Sequence, residues 1–141
     1  MRFLDSGVVI AAFASWHEAH PAARREVAAG ARVVGHTLLE TLSVLTRLPA
    51  PHRAPVEVVA EYLQRTFTED VALLDAQQLR QLATHRLPAL GISGGAIYDA
   101  AIAETVRLAG GTLVTLDRRA LSTYRRIGCP AELLNGLDPV G

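Results

Sequence analysis

The sequence contains no lysine, and its fourteen basic residues, all arginine, are balanced by fourteen acidic residues to a formal net charge of zero. A chain without excess positive charge does not attract nucleic acid as a whole. Any surface that binds phosphate must therefore be local. Arginine suits such a surface, because its guanidinium group presents fork-shaped donors that match phosphate oxygens.

Cysteine and aromatic residues are scarce. Cys129 is the single cysteine, which excludes an internal disulfide and is typical of a protein from a reducing cytosol. We interpret Cys129 as a structural residue. Aromatic residues make up 5% of the chain, which leaves few rings on which nucleic-acid bases could stack. We expect Trp16, Tyr98 and Tyr124 to pack in the core or at an interface.

Long hydrophobic runs are also absent. No apolar stretch reaches the roughly 18 residues that a membrane-spanning helix needs. The N-terminal segment is apolar, but Asp5 interrupts it and no positively charged stretch precedes it. We interpret this segment as a strand followed by a helix, not as a signal peptide. The sequence therefore predicts a soluble, cytoplasmic protein.

What the chain does have is enough apolar material for one core. Its hydrophobic content is 50% over 141 residues, with no linker or repeat, and we expect a single domain over residues 1–141. Strands and helices are predicted to alternate. The predicted strands are residues 2–5, 32–35, 71–74, 112–116 and 132–134. The predicted helices are residues 7–13, 20–29, 38–48, 56–68, 76–86, 94–109 and 119–127.

The predicted strands are continuous apolar runs, which is typical of a sheet that is covered on both faces. Together with the intervening helices, they predict a three-layer α/β/α domain with a mainly parallel central sheet. Ligands of such domains bind outside the carboxyl ends of the strands. Functional residues are therefore expected where the strands end.

Acidic residues follow two of the predicted strands. Asp5 ends the first strand, and Asp117 follows the strand at 112–116. If these strands are neighbours, the two carboxylates share one crevice. Each residue has a second interpretation, because Asp after a strand often caps the following helix.

Two further acidic residues belong to predicted helices. Asp99 lies in an apolar stripe of small residues, where a charge is costly unless a cation, an arginine or several donors pair with it. Glu40 has a competing structural explanation, because Thr37 and Glu40 have the spacing of a capping box. The helix that carries Glu40 nevertheless opens at the same end of the predicted sheet.

Four converging carboxylates would repel one another without compensation. Hard cations such as Mg²⁺ or Mn²⁺ accept oxygen ligands and would supply that compensation, and they would activate a water molecule at a phosphodiester. Ser6 and Thr115 adjoin the acidic positions. We expect their hydroxyl groups to hold the carboxylates, or a metal-bound water, through hydrogen bonds.

In order and spacing, these segments resemble the PIN-domain ribonucleases, and among them the VapC-type toxins of prokaryotic toxin–antitoxin pairs. FLDSGVVIAAF resembles the strand–Asp–Ser/Thr–helix opening of the family, and GHTLLETLSVL resembles the segment that carries its Glu. IYDAAIAETVRLAGGTLVTLDRRAL is similar to the helix-borne Asp followed by a strand that ends in Thr-x-Asp. The resemblance covers nearly the whole chain.

The resemblance implies an endoribonuclease that uses Mg²⁺ or Mn²⁺ and stops translation by cutting RNA, often tRNA or rRNA. It assigns catalysis to Asp5, Glu40, Asp99 and Asp117, and metal binding to Asp5, Asp99 and Asp117. It also implies a homodimer and a cognate VapB-type antitoxin, whose C-terminal segment often places an arginine in the acidic pocket.

The chain departs from the family pattern after Asp117. Many relatives have an aromatic residue where this chain has Ala120, and some have a further acidic residue where Arg118 and Arg119 stand, so a fifth carboxylate is not expected. Arg118 and Arg119 adjoin the acidic site and Arg47 lies two turns beyond Glu40. These three arginines are our candidates for contacts with RNA phosphates.

Two other functions stay open at this point. One is a Mg²⁺-dependent phosphohydrolase of another α/β family, although Gly7 occupies the position where such enzymes often carry a second Asp. The other is a non-catalytic binding domain in which the carboxylates are helix caps and surface groups. A zinc site at His17 and His20 is disfavoured, because no further ligand spacing supports it.

Overall fold

The computed structural model describes residues 1–135. In this part of the chain, three short strands are present and seven α-helices separate the first two, so the predicted alternation of strands and helices is only partly realised. The strands are β1 (Arg2–Leu4), β2 (Thr112–Thr115) and β3 (Ala131–Leu133). The helices are α1 (Ser6–Phe13), α2 (His20–Ala28), α3 (Gly35–Arg47), α4 (Val56–Thr66), α5 (Ala76–Gln81), α6 (Leu87–Leu90), α7 (Ala96–Leu108) and α8 (Arg118–Ile127), with a π-helical turn at Leu82–Arg86.

The sheet is parallel, with the order β1-β2-β3. Phe3 pairs with Leu113, and Thr115 pairs with Leu133. Two isolated parallel bridges, Phe3 with Arg32 and Val34 with Ala72, extend the same direction of pairing beyond β1. The strands predicted at 32–35 and 71–74 are thus single bridges in the structure. The first of them cannot run further, because the chain enters α3 directly at Gly35.

Two hydrophobic cores lie on opposite faces of the sheet, and successive residues of each strand point to opposite cores. Phe3 and Leu113 belong to one core together with residues of α7 and α8. Leu4 and Val114 belong to the other together with residues of α1, α3 and α4. The predicted three-layer α/β/α arrangement is confirmed.

Five predicted helices are present with ends that lie within two residues of the predicted ones. They are the helices predicted at 7–13, 20–29, 56–68, 94–109 and 119–127. The helix predicted at 76–86 continues to Leu90 through the π-helical turn, and it ends at Gly91, whose φ of 65° suits glycine. No helix in residues 1–135 is long and apolar enough to cross a membrane.

Helix α3 begins three residues earlier than predicted. Its N-cap is Val34, without a side-chain cap, and the predicted capping box of Thr37 and Glu40 is therefore wrong. The start is fixed by tertiary contacts: the Gly35 N–H donates to the Ala72 carbonyl over 2.9 Å, and a Cβ at Gly35 would lie 2.4 Å from Leu73 Cδ2. Glu40 consequently lies within the helix, where no capping role explains it.

Candidate active site

All four acidic residues singled out in the sequence line one cavity of about 430 Å³ at the carboxyl ends of β1 and β2. Asp5 and Asp117 follow the two strands, Glu40 comes from α3 and Asp99 from the first turn of α7. The cavity therefore gathers carboxylates from both layers of helices. Arg118 lines it as well.

Asp5 is the most enclosed of the four, with 6% of its surface exposed. It is the N-cap of α1, since Oδ1 accepts a hydrogen bond from the Val8 N–H over 3.2 Å. Oδ2 accepts one from the Tyr124 hydroxyl over 3.1 Å, and the Thr115 hydroxyl also bonds to this carboxyl group. Capping and a position in the cavity are thus compatible for the same side chain.

Burial raises the pKa of Asp5 from 3.8 to about 6. The hydrogen bonds from Thr115, Val8 and Tyr124 oppose this shift because they stabilise the charged form, whereas the charge of Glu40 adds to it. A buried carboxyl group with this pKa is poised near neutral pH, which is a feature of functional sites.

Asp117 has a matching position on the neighbouring strand. It is the N-cap of α8, with Oδ1 accepting from the Arg119 N–H over 2.8 Å, and its own N–H donates to Thr115 Oγ1 over 3.0 Å. Its side chain is exposed. Thr115 thus contacts both strand-end carboxylate residues, Asp5 through its side chain and Asp117 through its backbone.

Glu40 is held by neighbours inside the site. The Ser6 hydroxyl donates a hydrogen bond to Glu40 Oε1. His36 Nε2 lies 3.8 Å from Glu40 Oε2, one helical turn before it on α3. The side chain is therefore directed toward Asp5 and Ser6 by contacts that span two helices.

Asp99 is half-buried in the first turn of α7. Burial raises the pKa of this carboxyl group, as do the negative charges of Glu40 and Asp117, while His36 lowers it. The carboxylates of Glu40 and Asp117 therefore repel that of Asp99, as expected where carboxylates converge on one cavity.

The donor set fits a hard divalent cation. Carboxylate oxygens are the ligands that such ions prefer. A bound cation would offset both the cost of burying the charged carboxylates and their mutual repulsion, which together raise the pKa values of Asp5 and Asp99. Within residues 1–135, no three acidic, His or Cys side chains already stand close enough to hold one ion. This spacing suits an ion that takes one or two carboxylates and keeps several waters.

Tyr124 is the residue of this site that the sequence did not reveal. Its side chain is buried, with 1% exposed, as expected for a core residue, yet its hydroxyl contacts Asp5. Burial and the charge of Asp5 raise the pKa of the hydroxyl, which keeps it a donor. The spacing of Asp117, Ala120 and Tyr124 along one face of α8 is the signal that could have pointed to it.

The other predicted polar groups lie as follows. Arg47 lines a neighbouring cavity with Glu40 and Asp99, and Arg119 is exposed beside Asp117. His20 Nδ1 lies 2.7 Å from the Ala11 carbonyl oxygen, and His17 Nδ1 accepts a hydrogen bond from the Ala19 N–H. Cys129 is buried, and burial raises the pKa of its thiol to about 11.

Comparison with known proteins identifies the class to which this arrangement belongs. A sequence model of the PIN domain matches residues 2–126. The chain therefore belongs to the PIN-domain family, and the resemblance seen in the sequence is confirmed. The extent of the domain over residues 1–141 stays a prediction.

Two proteins of Mycobacterium tuberculosis are similar over most of their length. Ribonuclease VapC40 is 45% identical over 131 residues, which cover 92% of this chain and 96% of that protein. Ribonuclease VapC27 is 38% identical over 133 residues, which cover 89% of this chain and 90% of that protein. The match to the PIN domain, over residues 2–126, includes every segment that contributes to the cavity.

Proposed function

We propose that this chain, a VapC-type PIN-domain endoribonuclease and toxin of a toxin–antitoxin pair, cleaves RNA in the cavity lined by Asp5, Glu40, Asp99 and Asp117. The observation that carries the proposal is the convergence of these carboxylates, from two strand ends and two helices, on one cavity. The phosphohydrolase and the non-catalytic domain are set aside, because the chain belongs to the PIN-domain family.

The contacts of each residue in the cavity indicate its role in the proposed reaction. A Mg²⁺ or Mn²⁺ ion held among Asp5, Asp99 and Asp117, by one or two of them directly and otherwise through water, would supply activation of water and stabilisation of negative charge at the phosphodiester. Three donors orient Asp5: the Val8 N–H, the Tyr124 hydroxyl and the Thr115 hydroxyl. Such supporting hydrogen bonds fix the direction in which a ligand presents its oxygens.

The role that we propose for Glu40 differs from that of the three carboxylates proposed to bind the metal ion. Ser6 donates to Oε1, while His36 Nε2 lies 3.8 Å from Oε2. We assign Glu40 the role of accepting a hydrogen bond or a proton from the attacking water. The arrangement matches the general requirement that a base be held by a second group.

Arginine side chains supply the phosphate contacts in this proposal. Arg118 lines the carboxylate cavity itself, while Arg119 is exposed next to it. Their positive charges offset the acidic lining, which would otherwise repel RNA. The cellular RNA is tRNA or rRNA in this proposal.

The partner proposed for the cavity is a VapB-type antitoxin. An acidic cavity that carries two carboxylates with raised pKa values attracts a guanidinium group, because a fork-shaped cation can pair with carboxylates and neutralise them. An antitoxin segment with an arginine would thus compete with the divalent cation. A homodimer is the oligomeric state that we propose for the chain.

The test is RNA cleavage by the purified protein, with total tRNA and rRNA as substrates. We expect cleavage with Mg²⁺ or Mn²⁺ and its loss in EDTA, in Asp99→Asn and in Asp117→Asn. Asp75→Asn is the matched control, because Asp75 is also an exposed helix N-cap, on α5, and Asn preserves capping. Cleavage that survives EDTA or both site substitutions would contradict the proposal.

A further inference from the structure

A second cavity, of about 470 Å³, opens beside the carboxylate cavity. The two share Glu40 and Asp99 as lining residues, so that they adjoin each other. We call the second one the side cavity. An RNA strand whose phosphodiester lies at the carboxylates must place a neighbouring nucleotide in a space that adjoins them.

A pair of parallel rings forms part of the side cavity. The rings of His36 and Tyr98 are stacked, with centroids 5.7 Å apart and an angle of 2° between their planes. Tyr98 is 60% exposed, so it is not the core residue that its type would predict. It directly precedes Asp99 in α7, which places the ring next to the carboxylate cavity.

Helix α3 supplies the rest of the lining. His36, Glu40, Ser43 and Arg47 all line the side cavity, and their spacing of three to four residues puts them on one face of the helix. Arg47 follows Glu40 by two turns, or about 10 Å along the helix axis. Along α3 the lining of the side cavity thus runs from His36, which stacks on Tyr98, past Glu40 to the guanidinium group of Arg47.

We infer that the side cavity binds a nucleobase of single-stranded RNA, stacked on the ring of Tyr98, while Arg47 contacts a phosphate farther along the same strand. This inference rests on the proposed function. Flat exposed rings are the platforms on which unpaired bases stack, and arginine is the matching contact for phosphate. The lining that the side cavity shares with the carboxylate cavity, at Glu40 and Asp99, favours RNA over a protein partner as the occupant.

The test compares Tyr98→Leu, which removes the ring but keeps an apolar side chain, with Tyr98→Phe, which keeps the ring. The loss of one stacked base predicts a KM for a short RNA that is higher by roughly fivefold to a hundredfold in Tyr98→Leu. We expect Tyr98→Phe to stay within about twofold of the unmodified protein. Leu108→Ala, at the exposed far end of the same helix, controls for general damage to α7.

A second measurement reports stacking directly. In Asp117→Asn protein, which preserves the RNA for the measurement, a 2-aminopurine base in a short RNA should lose fluorescence on binding. We expect that quenching to disappear when Tyr98→Leu is added and to persist with Tyr98→Phe. Arg47→Gln should weaken binding and lower the salt dependence by about 0.7 in the logarithmic slope, as for one lost phosphate contact.

The outcomes separate this inference from the proposed function. If the unmodified protein does not cleave RNA, the proposed function fails. If it cleaves RNA and Tyr98→Leu has an unchanged KM and unchanged quenching, the nucleobase site alone is wrong. A Tyr98→Leu variant that alters sedimentation but leaves RNA affinity intact would show that the side cavity is covered by protein, and it would also overturn the inference.

Discussion

The Tyr124 hydroxyl donates a hydrogen bond to Asp5 Oδ2 over 3.1 Å, although 119 residues separate the two in sequence. The contact joins α8 to the end of β1 in the wall of the carboxylate cavity, which both residues line. It gives the buried Asp5 a neutral donor in place of solvent. Tyr124 therefore acts on the site through the position of Asp5.

Replacement of Tyr124 by Phe tests this relationship. The ring and its packing remain, while a donor to a buried carboxylate is lost, which costs about 1.5–3 kcal/mol of unfolding free energy. We expect kcat to fall by about tenfold or more, as for other groups that orient metal ligands. Urea unfolding, cleavage kinetics and Mn²⁺ titration calorimetry measure these effects.

Tyr62→Phe is the matched control for that substitution. Tyr62 is partly buried and packs edge-on against Phe13, with ring centroids 5.2 Å apart, in the core on the other face of the sheet. Equal cleavage and equal Mn²⁺ affinity for Tyr124→Phe and Tyr62→Phe would mean that the hydroxyl contact has no role in the site.

The pKa of Asp5 predicts how stability depends on pH when divalent ions are removed. Its folded-state pKa of about 6 lies above the ordinary value of 3.8, so the folded state holds a proton that the unfolded state releases. The contribution of Asp5 to stability is full below pH 4 and is lost as pH rises through 6. The shift corresponds to about 3 kcal/mol at most.

Urea unfolding of the unmodified protein and of Asp5→Asn in EDTA, from pH 4 to pH 8, isolates this contribution. The difference between the two unfolding free energies should decline between pH 4 and about pH 6.5 and then level off. Mn²⁺ added at pH 7 should stabilise the unmodified protein more than Asp5→Asn. A difference that rises with pH would contradict the assigned shift.

Ser6→Ala tests the contact that directs Glu40. Without the Ser6 hydroxyl, Glu40 Oε1 loses its donor on α1, and we expect kcat to fall by roughly tenfold to a hundredfold with little change in stability. Ser122→Ala, at an exposed position of α8, is the control. Cleavage rates that match between the two variants would exclude an orienting role for Ser6.

Gly111→Ala tests the close packing of Gly111, which directly precedes β2, against the Phe3 ring of β1. A Cβ at Gly111 would lie 2.7 Å from the Phe3 ring and 3.0 Å from the Met1 carbonyl oxygen, and Phe3 is buried in β1. We expect a loss of about 1–3 kcal/mol. At Gly95, by contrast, a Cβ meets nothing within 4 Å. A thermal unfolding midpoint for Gly111→Ala equal to that of Gly95→Ala would contradict this.

The meeting of Asp5 and Asp117 in one cavity could be predicted from the sequence, because the positions of both residues follow from local rules. Asp5 and Asp117 end strands, and strand ends of a parallel sheet meet at one edge. The alternative that each is a helix cap is also realised, since both cap the helix that follows. At both positions, a helix cap is therefore compatible with a place in the cavity.

Other features depend on contacts between distant segments, so the sequence around each of them could not predict them. The start of α3 is set by the meeting of Gly35 with Ala72 and Leu73, which overrides the capping box suggested by Thr37 and Glu40. The strands predicted at 32–35 and 71–74 are isolated bridges in the structure. The contact of Tyr124 with Asp5 requires the complete topology.

The four carboxylates belong to segments that pack in two separate cores. The helices that begin at Asp5 and carry Glu40 lie on one face of the sheet, while those that carry Asp99 and begin at Asp117 lie on the other. A cation or a guanidinium group bound by carboxylates from both faces would link the two layers of helices at the edge of the sheet. Occupancy of the cavity should therefore make the two cores unfold as one unit, with slower amide exchange in both.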